Sequence, residues 1–184
     1  PVTVLQMGPC AVVQIKTKNK DGYNAVQVGY DSVENNKTSK PKVGHFKKHN
    51  LQNSYKKLLE FPIVPEFKYK SGQIFNVAIF QLGDLVNVSG ITKGRGFAGV
   101  IKRHNFARQK KTHGTGHTER APGSIGQASD PSRVFPGMKM AGQYGNTKMT
   151  VKNLTIVKVS KSDNIIMVKG AVPGYKNGTV VVYK

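Results

Sequence analysis

Arginine is confined to one part of this chain of 184 residues, between positions 93 and 150. The five arginines are Arg95, Arg103, Arg108, Arg120 and Arg133, and the accompanying lysines are Lys93, Lys102, Lys110, Lys111, Lys139, Lys148 and, just beyond the segment, Lys152. Glu119 and Asp130 are the acids set against these twelve cations. A guanidinium group can grip a phosphate through two hydrogen bonds and can also stack on a base, and lysine cannot do both. This pattern predicts that residues 93–150 bind a polyanion.

The same segment contains too few apolar side chains to fold alone. Between residues 102 and 150 the large ones are Phe106, Ile125, Val134, Phe135, Met138, Met140, Tyr144 and Met149. Burying these side chains cannot offset the conformational entropy that is lost when so long a segment becomes ordered. The turns Ala121-Pro122-Gly123 and Phe135-Pro136-Gly137 are not typical of a disordered, low-complexity tail. We therefore predict an irregular loop with one bound shape, moulded on a polyanion.

The overall composition narrows the classes of function. The formal net charge is +20 and the sequence pI is near 10.1, which favours a nucleic-acid partner over a generic metabolic role. No apolar run approaches the roughly 20 residues that cross a bilayer, so we expect no membrane partner. Cys10 is the single cysteine, which excludes a disulfide framework and a cysteine-rich zinc site and suits a reducing compartment.

Short strands are predicted on both sides of the basic segment. They cover residues 2–7, 10–16, 23–30, 58–64, 74–80 and 84–91 before it, and 149–159, 165–169 and 179–183 after it. Asp21-Gly22 indicates a hairpin, and Pro62 marks its strand as an edge strand. Short strands with regular turn signals predict a mainly β domain, a small antiparallel barrel or sandwich. This domain comprises residues 1–92 and 151–184, and the segment 93–150 is inserted between two of its strands.

A second lysine-rich stretch covers residues 37–57. Its lysines are Lys37, Lys40, Lys42, Lys47, Lys48, Lys56 and Lys57. Pro41 stands where it can begin a short helix, so we predict a partly helical insertion in the β domain. Two interpretations stay open for this insertion, a weaker nucleic-acid contact and a solvated surface.

Residues 94–99 match the pattern G-x-G-x-x-G, which raises a dinucleotide-dependent enzyme as an alternative. Such a site needs a preceding strand, a following apolar helix and an acidic residue about 20 positions further on. A strand and Glu119 are present, but after Val100 and Ile101 the chain continues as Lys102-Arg103-His104-Asn105. We favour the interpretation that these glycines let backbone and phosphate approach closely.

The histidines of the segment raise a metal site as a further alternative. His113 and His117 are four residues apart, with His104 as a third ligand, but Gly114-Thr115-Gly116 opposes the helix that would align them. Base stacking or phosphate binding fits these histidines better. The acids are scattered and no G-x-S-x-G motif occurs, so no catalytic site is predicted. The residues alone leave open a structural RNA-binding protein and a general nucleic-acid chaperone or chromatin-type binder.

Residues 80–103 read FQLGDLVNVSGITKGRGFAGVIKR and resemble the signature of the large-subunit ribosomal protein three family. The positions that carry the resemblance are Phe80, Asn87, Gly90, Thr92, Gly94-Arg95-Gly96, Gly99 and Arg103. Residues 42–46, 121–127, 139–143 and 168–174 also resemble the bacterial-type members, so the similarity runs nearly end to end. Two departures are the strand region that relatives carry before the position of Pro1, and His104, where many bacterial relatives have tryptophan.

The resemblance implies a six-stranded barrel of the elongation-factor type, with a long extension that runs through rRNA toward the peptidyl transferase centre. It implies a structural, non-enzymatic constituent of the large ribosomal subunit that binds rRNA, supports assembly and contacts neighbouring ribosomal proteins. No cofactor or small-molecule substrate is implied. The implied location is the bacterial ribosome of the cytoplasm, with an organellar ribosome as the alternative.

The site residues follow from the basic segment and from the resemblance together. The glutamine that matches Gln127 is methylated in some bacteria, which makes Gln127 a candidate modification site. The candidate rRNA-binding residues are Lys93, Arg95, Lys102, Arg103, His104, Arg108, Lys110, Lys111, His113, His117, Arg120, Gln127, Arg133, Lys139 and Lys148.

Overall fold

The computed structural model describes residues 1–63 and 68–184. These residues form eleven strands and three short α-helices, so the prediction of a mainly β fold is confirmed. In chain order the elements are β1 (Val2–Gln6), β2 (Cys10–Lys16), α1 (Lys18–Asp21), β3 (Ala25–Val33), α2 (Lys40–Lys48), β4 (Ser54–Pro62), β5 (Ile74–Phe75), β6 (Leu85–Ile91), β7 (Phe97–Ala98), α3 (Val100–His104), β8 (Gly142–Gln143), β9 (Lys148–Ser160), β10 (Ile165–Lys169) and β11 (Val180–Tyr183). Among the helices of the described ranges, none has the length and apolar character needed to cross a membrane.

The hydrogen-bonded strands define three sheets, with the orders β1-β10-β9-β6-β11, β4-β3-β2-β5 and β7-β8. The contacts divide the chain into two compact units. One comprises residues 1–86, 153–171 and 184, and the other comprises residues 87–152 and 172–183. The six-stranded barrel and the domain boundaries at residues 92 and 151 stay predictions.

The core of the first unit is formed by apolar side chains of its strands. Some of these strands alternate apolar and polar residues, and others are continuous apolar runs. Strand β2 is an apolar run, and its antiparallel register with β3 shifts between Val12 and Gln14. Val12, the last paired residue before this irregularity, and Val13, the extra residue within it, are both fully buried. Strand β1 pairs with β10 so that Leu5 lies opposite Ile166, and both side chains are buried. Burial of such side chains is the main stabilising contribution to a domain of this size.

Helix α2 confirms the predicted helical insertion. Pro41 lies in its first turn, where a missing N–H costs nothing. The helix buries a single side chain, Phe46, whose ring meets the edge of Tyr55 with a centroid separation of 5.7 Å. The rest of the predicted insertion is different, because β4 begins at Ser54 and residues 54–57 belong to it. Val64, the last residue of the predicted strand 58–64, lies outside the described residues.

One local prediction needs correction. Residues 74–80 were expected to be one strand, but β5 covers only Ile74–Phe75 and Val77–Ile79 form a 3-10 turn. The side chain of Asn76 accepts a hydrogen bond from the Ala78 amide at 3.3 Å and so competes with strand pairing. The hairpin predicted at Asp21-Gly22 is confirmed, because β2 and β3 pair antiparallel on either side of it, and the connection between them is longer than two residues. Helix α1 fills it, and Gly22 ends that helix with a left-handed φ of 84°.

The second unit joins β6 to β11 in an antiparallel register, with Val88 opposite Val182. Val88 is fully buried. Gly90 lies opposite Val180, and a Cβ at this position would come within 2.9 Å of the Pro173 carbonyl oxygen. A side chain at residue 90 would therefore force the strand away from its neighbour. The unit continues from β6 directly into the arginine-containing segment.

Candidate nucleic-acid interface

A short antiparallel stem holds the two ends of the basic segment together. The Thr92 amide donates to the Thr147 carbonyl at 3.0 Å, and Arg95 and Tyr144 are linked by a hydrogen bond from the Arg95 amide at 2.9 Å. Beyond them β7 pairs with β8, with Ala98 opposite Gly142. The two ends of the segment therefore lie next to each other, as expected for an insertion between two strands.

Gly145 is required for this stem. Its φ is 69°, in the left-handed region that glycine adopts without strain. A Cβ at this position would overlap the backbone carbonyl oxygen of Lys93. The close approach of residues 93 and 145 is thus possible only because the side chain is missing.

Helix α3 begins at the end of the stem and positions two candidate residues. Ala98 and Val100 are buried and fix the start of the helix, and Asn105 ends it in a left-handed conformation with φ of 58°. The Arg103 Nη1 donates to the Met140 carbonyl oxygen at 2.7 Å, and the His104 Nε2 lies 3.1 Å from the same oxygen. Because a carbonyl only accepts, His104 must carry its proton on Nε2 in this contact.

The contact with the Met140 carbonyl oxygen uses only part of the Arg103 guanidinium group. Arg103 and His104 are half-buried, and the guanidinium retains donors that the Met140 carbonyl does not use. A planar fork can hold one carbonyl with one nitrogen and present another edge to a phosphate. The arrangement therefore gives Arg103 an internal structural role and leaves part of its guanidinium group for a further contact.

Between α3 and β8, residues 105–141 are irregular. They contain a single 3-10 turn, at Gly116–Thr118, and no residue between positions 101 and 149 is buried. Glu119 ties two points of the loop together. Its carboxylate pairs with the Arg108 Nε at 2.8 Å and its backbone carbonyl accepts from the Gln109 amide at 3.2 Å. Glu119 thus has a local structural role, and the dinucleotide interpretation, which needed it elsewhere, loses support.

The helix after the glycine pattern also differs from what a dinucleotide site needs. Strand β7 has two residues and α3 has five, with Lys102, Arg103 and His104 in its last turn. A Rossmann site places a pyrophosphate at the start of a long apolar helix within a βαβ unit. Residues 94–99 instead belong to the antiparallel stem of the second unit, with a left-handed φ of 65° at Gly96.

The candidate rRNA-binding residues are displayed to solvent. Thirteen of the fifteen are exposed, and the other two are Arg103 and His104. Apolar side chains are exposed beside them, including Ile125, Val134 and Phe135, which are 39–50 % exposed. Cations and apolar groups presented together, without a core behind them, suit a partner that supplies both phosphates and base surfaces.

Two arginines are already stacked on aromatic rings within the segment. The Arg95 guanidinium lies 5.3 Å from the centroid of the Tyr144 ring, and Arg133 lies 5.7 Å from that of Phe135. Such contacts orient a guanidinium and leave its edge available for hydrogen bonding. The sequence interpretation treated Tyr144 and Phe135 as apolar side chains only and missed this positioning role.

Gln127 lies at an open concavity of about 420 Å³. Its lining residues are Gly123, Ser124, Ile125, Gly126, Gln127, Ser132, Arg133 and Val134. A hydrogen bond from the Ser124 hydroxyl to the Gly126 carbonyl at 3.0 Å shapes the turn before the glutamine. The Gln127 side chain is exposed, so it is accessible to a modifying enzyme.

The lysines of the predicted insertion are exposed in the first unit, where Lys37 ends a 3-10 turn and the others lie on α2 and β4. Two of them have acidic neighbours, since Lys37 lies 3.6 Å from Glu34 and Lys56 lies 3.6 Å from Asp31. Exposed pairs of this kind contribute little stability. The structure thus leaves this surface less strongly basic than its lysine count suggests. Over the described ranges no group of three or more histidine, cysteine or acidic side chains is arranged to hold a metal ion.

Comparison with known proteins identifies close relatives. Residues 60–164 match the family model described as Ribosomal protein L3. The chain is 52% identical over 184 residues to a large ribosomal subunit protein uL3 from Chromobacterium violaceum and 49% identical to one from Neisseria meningitidis. Each match covers 99% of this chain and 86% of the relative. A uL3 protein from Chlorobaculum tepidum is 50% identical, with 87% of its length covered.

Proposed function

The chain belongs to the ribosomal protein L3 family, and from this premise we propose that residues 93–150 bind large-subunit rRNA directly. The protein itself is a structural, non-enzymatic constituent of the large ribosomal subunit. One observation carries the proposal for the segment. All five arginines lie on a loop that is closed at its base by a stem, has no core of its own and exposes its cations.

The proposal includes the finer architecture that the family resemblance implies. Residues 1–92 and 151–184 form a six-stranded barrel of the elongation-factor type, and residues 93–150 extend from it toward the peptidyl transferase centre. The antiparallel pairing of β1 with β10 and of β6 with β11 supports the antiparallel β character of residues 1–92 and 151–184. The same proposal gives the protein neighbouring ribosomal proteins as partners, a role in subunit assembly and a place on bacterial-type cytoplasmic ribosomes.

Gln127 is proposed as a methylation site of this segment. Its support is the exposure of the side chain at the rim of an open concavity. Mass spectrometry of the protein isolated from ribosomes tests this directly, and a 14-Da increase on the peptide that contains Gln127 is expected. An unmodified peptide from every growth phase would remove the proposal for this residue and leave the RNA-binding role unaffected.

Equilibrium binding to large-subunit rRNA tests the main proposal. The intact chain is compared with a variant in which Arg95, Arg103, Arg108, Arg120 and Arg133 are replaced by glutamine, by filter binding at fixed salt. We expect saturable binding of the intact chain to the cognate rRNA and a large loss for the variant. Equal affinity for duplex DNA, unrelated RNA and cognate rRNA would instead indicate a general nucleic-acid chaperone.

A further inference from the structure

The last strand of the second unit places an aromatic side chain on a polar sheet face. Tyr183 of β11 lies opposite Asn87 of β6, and Val181 lies opposite Ser89. Directly opposed residues in an antiparallel pair, and alternate residues along one strand, share a face of the sheet. Tyr183, Asn87 and Ser89 are therefore on one face, together with Val181.

The same face continues onto β9. The Ser89 hydroxyl lies 2.6 Å from the Thr150 hydroxyl, so Thr150 is on this face beside Ser89. Lys148 and Lys152 are two positions either side of Thr150 and alternate with the residues of the opposite face. Both lysines are exposed, whereas Ser89 is 6% exposed. The face thus has a satisfied polar centre and a cationic border.

The hydroxyl of Tyr183 is held over this centre. A hydrogen bond with Ser89, then one with Thr150, together with the charges of Lys148 and Lys152, lowers the pKa of Tyr183. The Tyr183 oxygen thus contacts Ser89 of β6 and Thr150 of β9, while the side chain as a whole stays 40% exposed. The exposed part of the ring is available for contact with a partner.

We propose that the Tyr183 face, defined as Tyr183, Ser89, Thr150, Lys148 and Lys152, binds an unpaired nucleotide of RNA. The base stacks on the exposed part of the Tyr183 ring, and the adjoining phosphate lies between Lys148 and Lys152. Aromatic rings presented on strands are a recurring way to bind single-stranded RNA, because every base offers a face for stacking. The inference rests on the proposed rRNA-binding function and assigns it a second contact, outside the irregular loop.

The charges beside Tyr183 favour RNA over a protein segment as the partner of this face. The sequences of β6, β9 and β11 contain no aspartate or glutamate, and β9 brings two lysines to the ring. An acidic peptide would satisfy the charges but would leave the tyrosine ring without a matching planar surface. A nucleotide satisfies both, since the base and the phosphate are joined at the distance of one sugar.

Fluorescence gives the direct test, because the chain contains no tryptophan. Tyr183→Trp in the full chain introduces a single indole at the proposed stacking position. We expect saturable quenching by a short oligoadenylate and weaker quenching by an RNA duplex of the same length, whose bases are already stacked. Quenching by a polyglutamate peptide but not by the oligonucleotide would overturn the proposal.

Affinity measurements provide the second test. Tyr183→Ala is expected to weaken binding of the oligoadenylate by about 5- to 150-fold, the value of one base–aromatic stack. Tyr183→Phe, which keeps the ring, should stay within about twofold of the parent chain by the same reasoning. The matched control is Tyr175→Ala, since Tyr175 is 68% exposed in the same unit but lies outside the three strands. Equal losses for Tyr175→Ala and Tyr183→Ala would overturn the proposal.

The experiments can disprove the Tyr183 face and the proposed rRNA-binding function separately. Cognate rRNA binding by the parent chain, together with unchanged affinity of Tyr183→Ala and unquenched Tyr183→Trp, would overturn the Tyr183 face alone. Absence of any cognate rRNA binding by the parent chain would overturn the proposed function itself. Thermal unfolding of each variant accompanies these measurements, and the quenching of Tyr183→Trp keeps the test decisive if the alanine variant does not fold.

Discussion

The Arg103 side chain lies directly over the backbone of Gly142, where an added Cβ would come within 2.7 Å of the Arg103 Nη1. The guanidinium reaches the Met140 carbonyl from this position, across 37 residues of sequence. The missing side chain at residue 142 therefore determines where the charge of Arg103 is held. Since the crowded atom belongs to the end of a flexible side chain, a Cβ would displace the arginine more easily than the backbone.

Gly142→Ala should lower rRNA affinity without unfolding the stem, because Arg103 can swing away from Met140. Gly145→Ala should instead destabilise the stem, by about 1–2 kcal/mol from the left-handed backbone alone and by more from its overlap with the Lys93 carbonyl. Thermal unfolding and filter binding of both variants test this contrast. Equal stability losses at the two glycines would contradict the difference between side-chain and backbone crowding.

Arg103→Lys should weaken cognate rRNA binding by about 1–3 kcal/mol, comparable with the loss of a charge-assisted hydrogen bond. An ammonium group keeps the charge but cannot hold the Met140 carbonyl and present a second planar edge. The charge-conserving control is Lys161→Arg, at an exposed turn of the first unit. Negligible effects of both substitutions would mean that net charge alone determines binding.

The contacts of Arg103 illustrate which features could be predicted from the sequence and which could not. The basic segment, its irregular character and helix α2 were predictable from residue types, because Pro41, the Pro-Gly turns and the scarcity of apolar side chains act locally. The partner of Arg103 was not, because Met140 contributes only a backbone carbonyl and no side-chain pattern marks it. The expected strand 74–80 was wrong for a related reason. Its apolar residues fit a strand, and the hydrogen bond from the Ala78 amide to Asn76 redirects the backbone.

The affinity for rRNA should depend strongly on salt. If about half of the twelve cations around the loop reach phosphates, log K should fall by about 4–6 per unit of log salt concentration. Eleven of the twelve cations are exposed, which supports a count of this size, and the pairing of Arg108 with Glu119 keeps it below the total. Filter binding to cognate rRNA over a range of potassium concentrations measures the slope. A slope near one would contradict the polyanion interpretation.

Acid should weaken the first unit partly through Glu60. Its carboxylate lies 2.7 Å from the Lys16 Nζ and accepts from the Tyr23 hydroxyl at 2.6 Å, and these groups lower the pKa of Glu60 below its usual value of 4.5. The folded chain therefore keeps Glu60 ionised to lower pH than the unfolded chain does. The resulting stability is present above pH 4.5 and is lost as pH falls through the lower, folded-state pKa.

Glu60→Gln should accordingly flatten the decline in unfolding free energy as the pH falls from 4.5 through the lower, folded-state pKa of Glu60. Urea unfolding at several pH values measures this decline. The matched control is Glu34→Gln, because Glu34 pairs with Lys37 at 3.6 Å on a fully solvated surface and should change little. An identical acid profile for the parent chain and Glu60→Gln would show that the cluster does not contribute.

The stability of the β domain should be independent of the irregular loop. No residue between positions 101 and 149 is buried, whereas the stem and the start of α3 bury Ala98 and Val100. We therefore expect that residues 106–139 can be replaced by a short Gly-Ser linker while the stem, α3 and Met140 are kept. Because loop closure depends only logarithmically on length, the unfolding free energy should change by no more than about 1–2 kcal/mol and unfolding should stay cooperative.

Hydrogen exchange tests whether the irregular loop is ordered only by RNA or folds by itself. Between residues 110 and 126 the backbone hydrogen bonds that the structure gives to amides are those of Thr118 and Ala121, each within the turn around Gly116–Thr118. Amides of this stretch should exchange as if unprotected in the free protein and should become protected when cognate rRNA is added. Strong protection without RNA would mean that the loop is a folded unit. Collapse of the β domain after the replacement would mean that the loop belongs to its core.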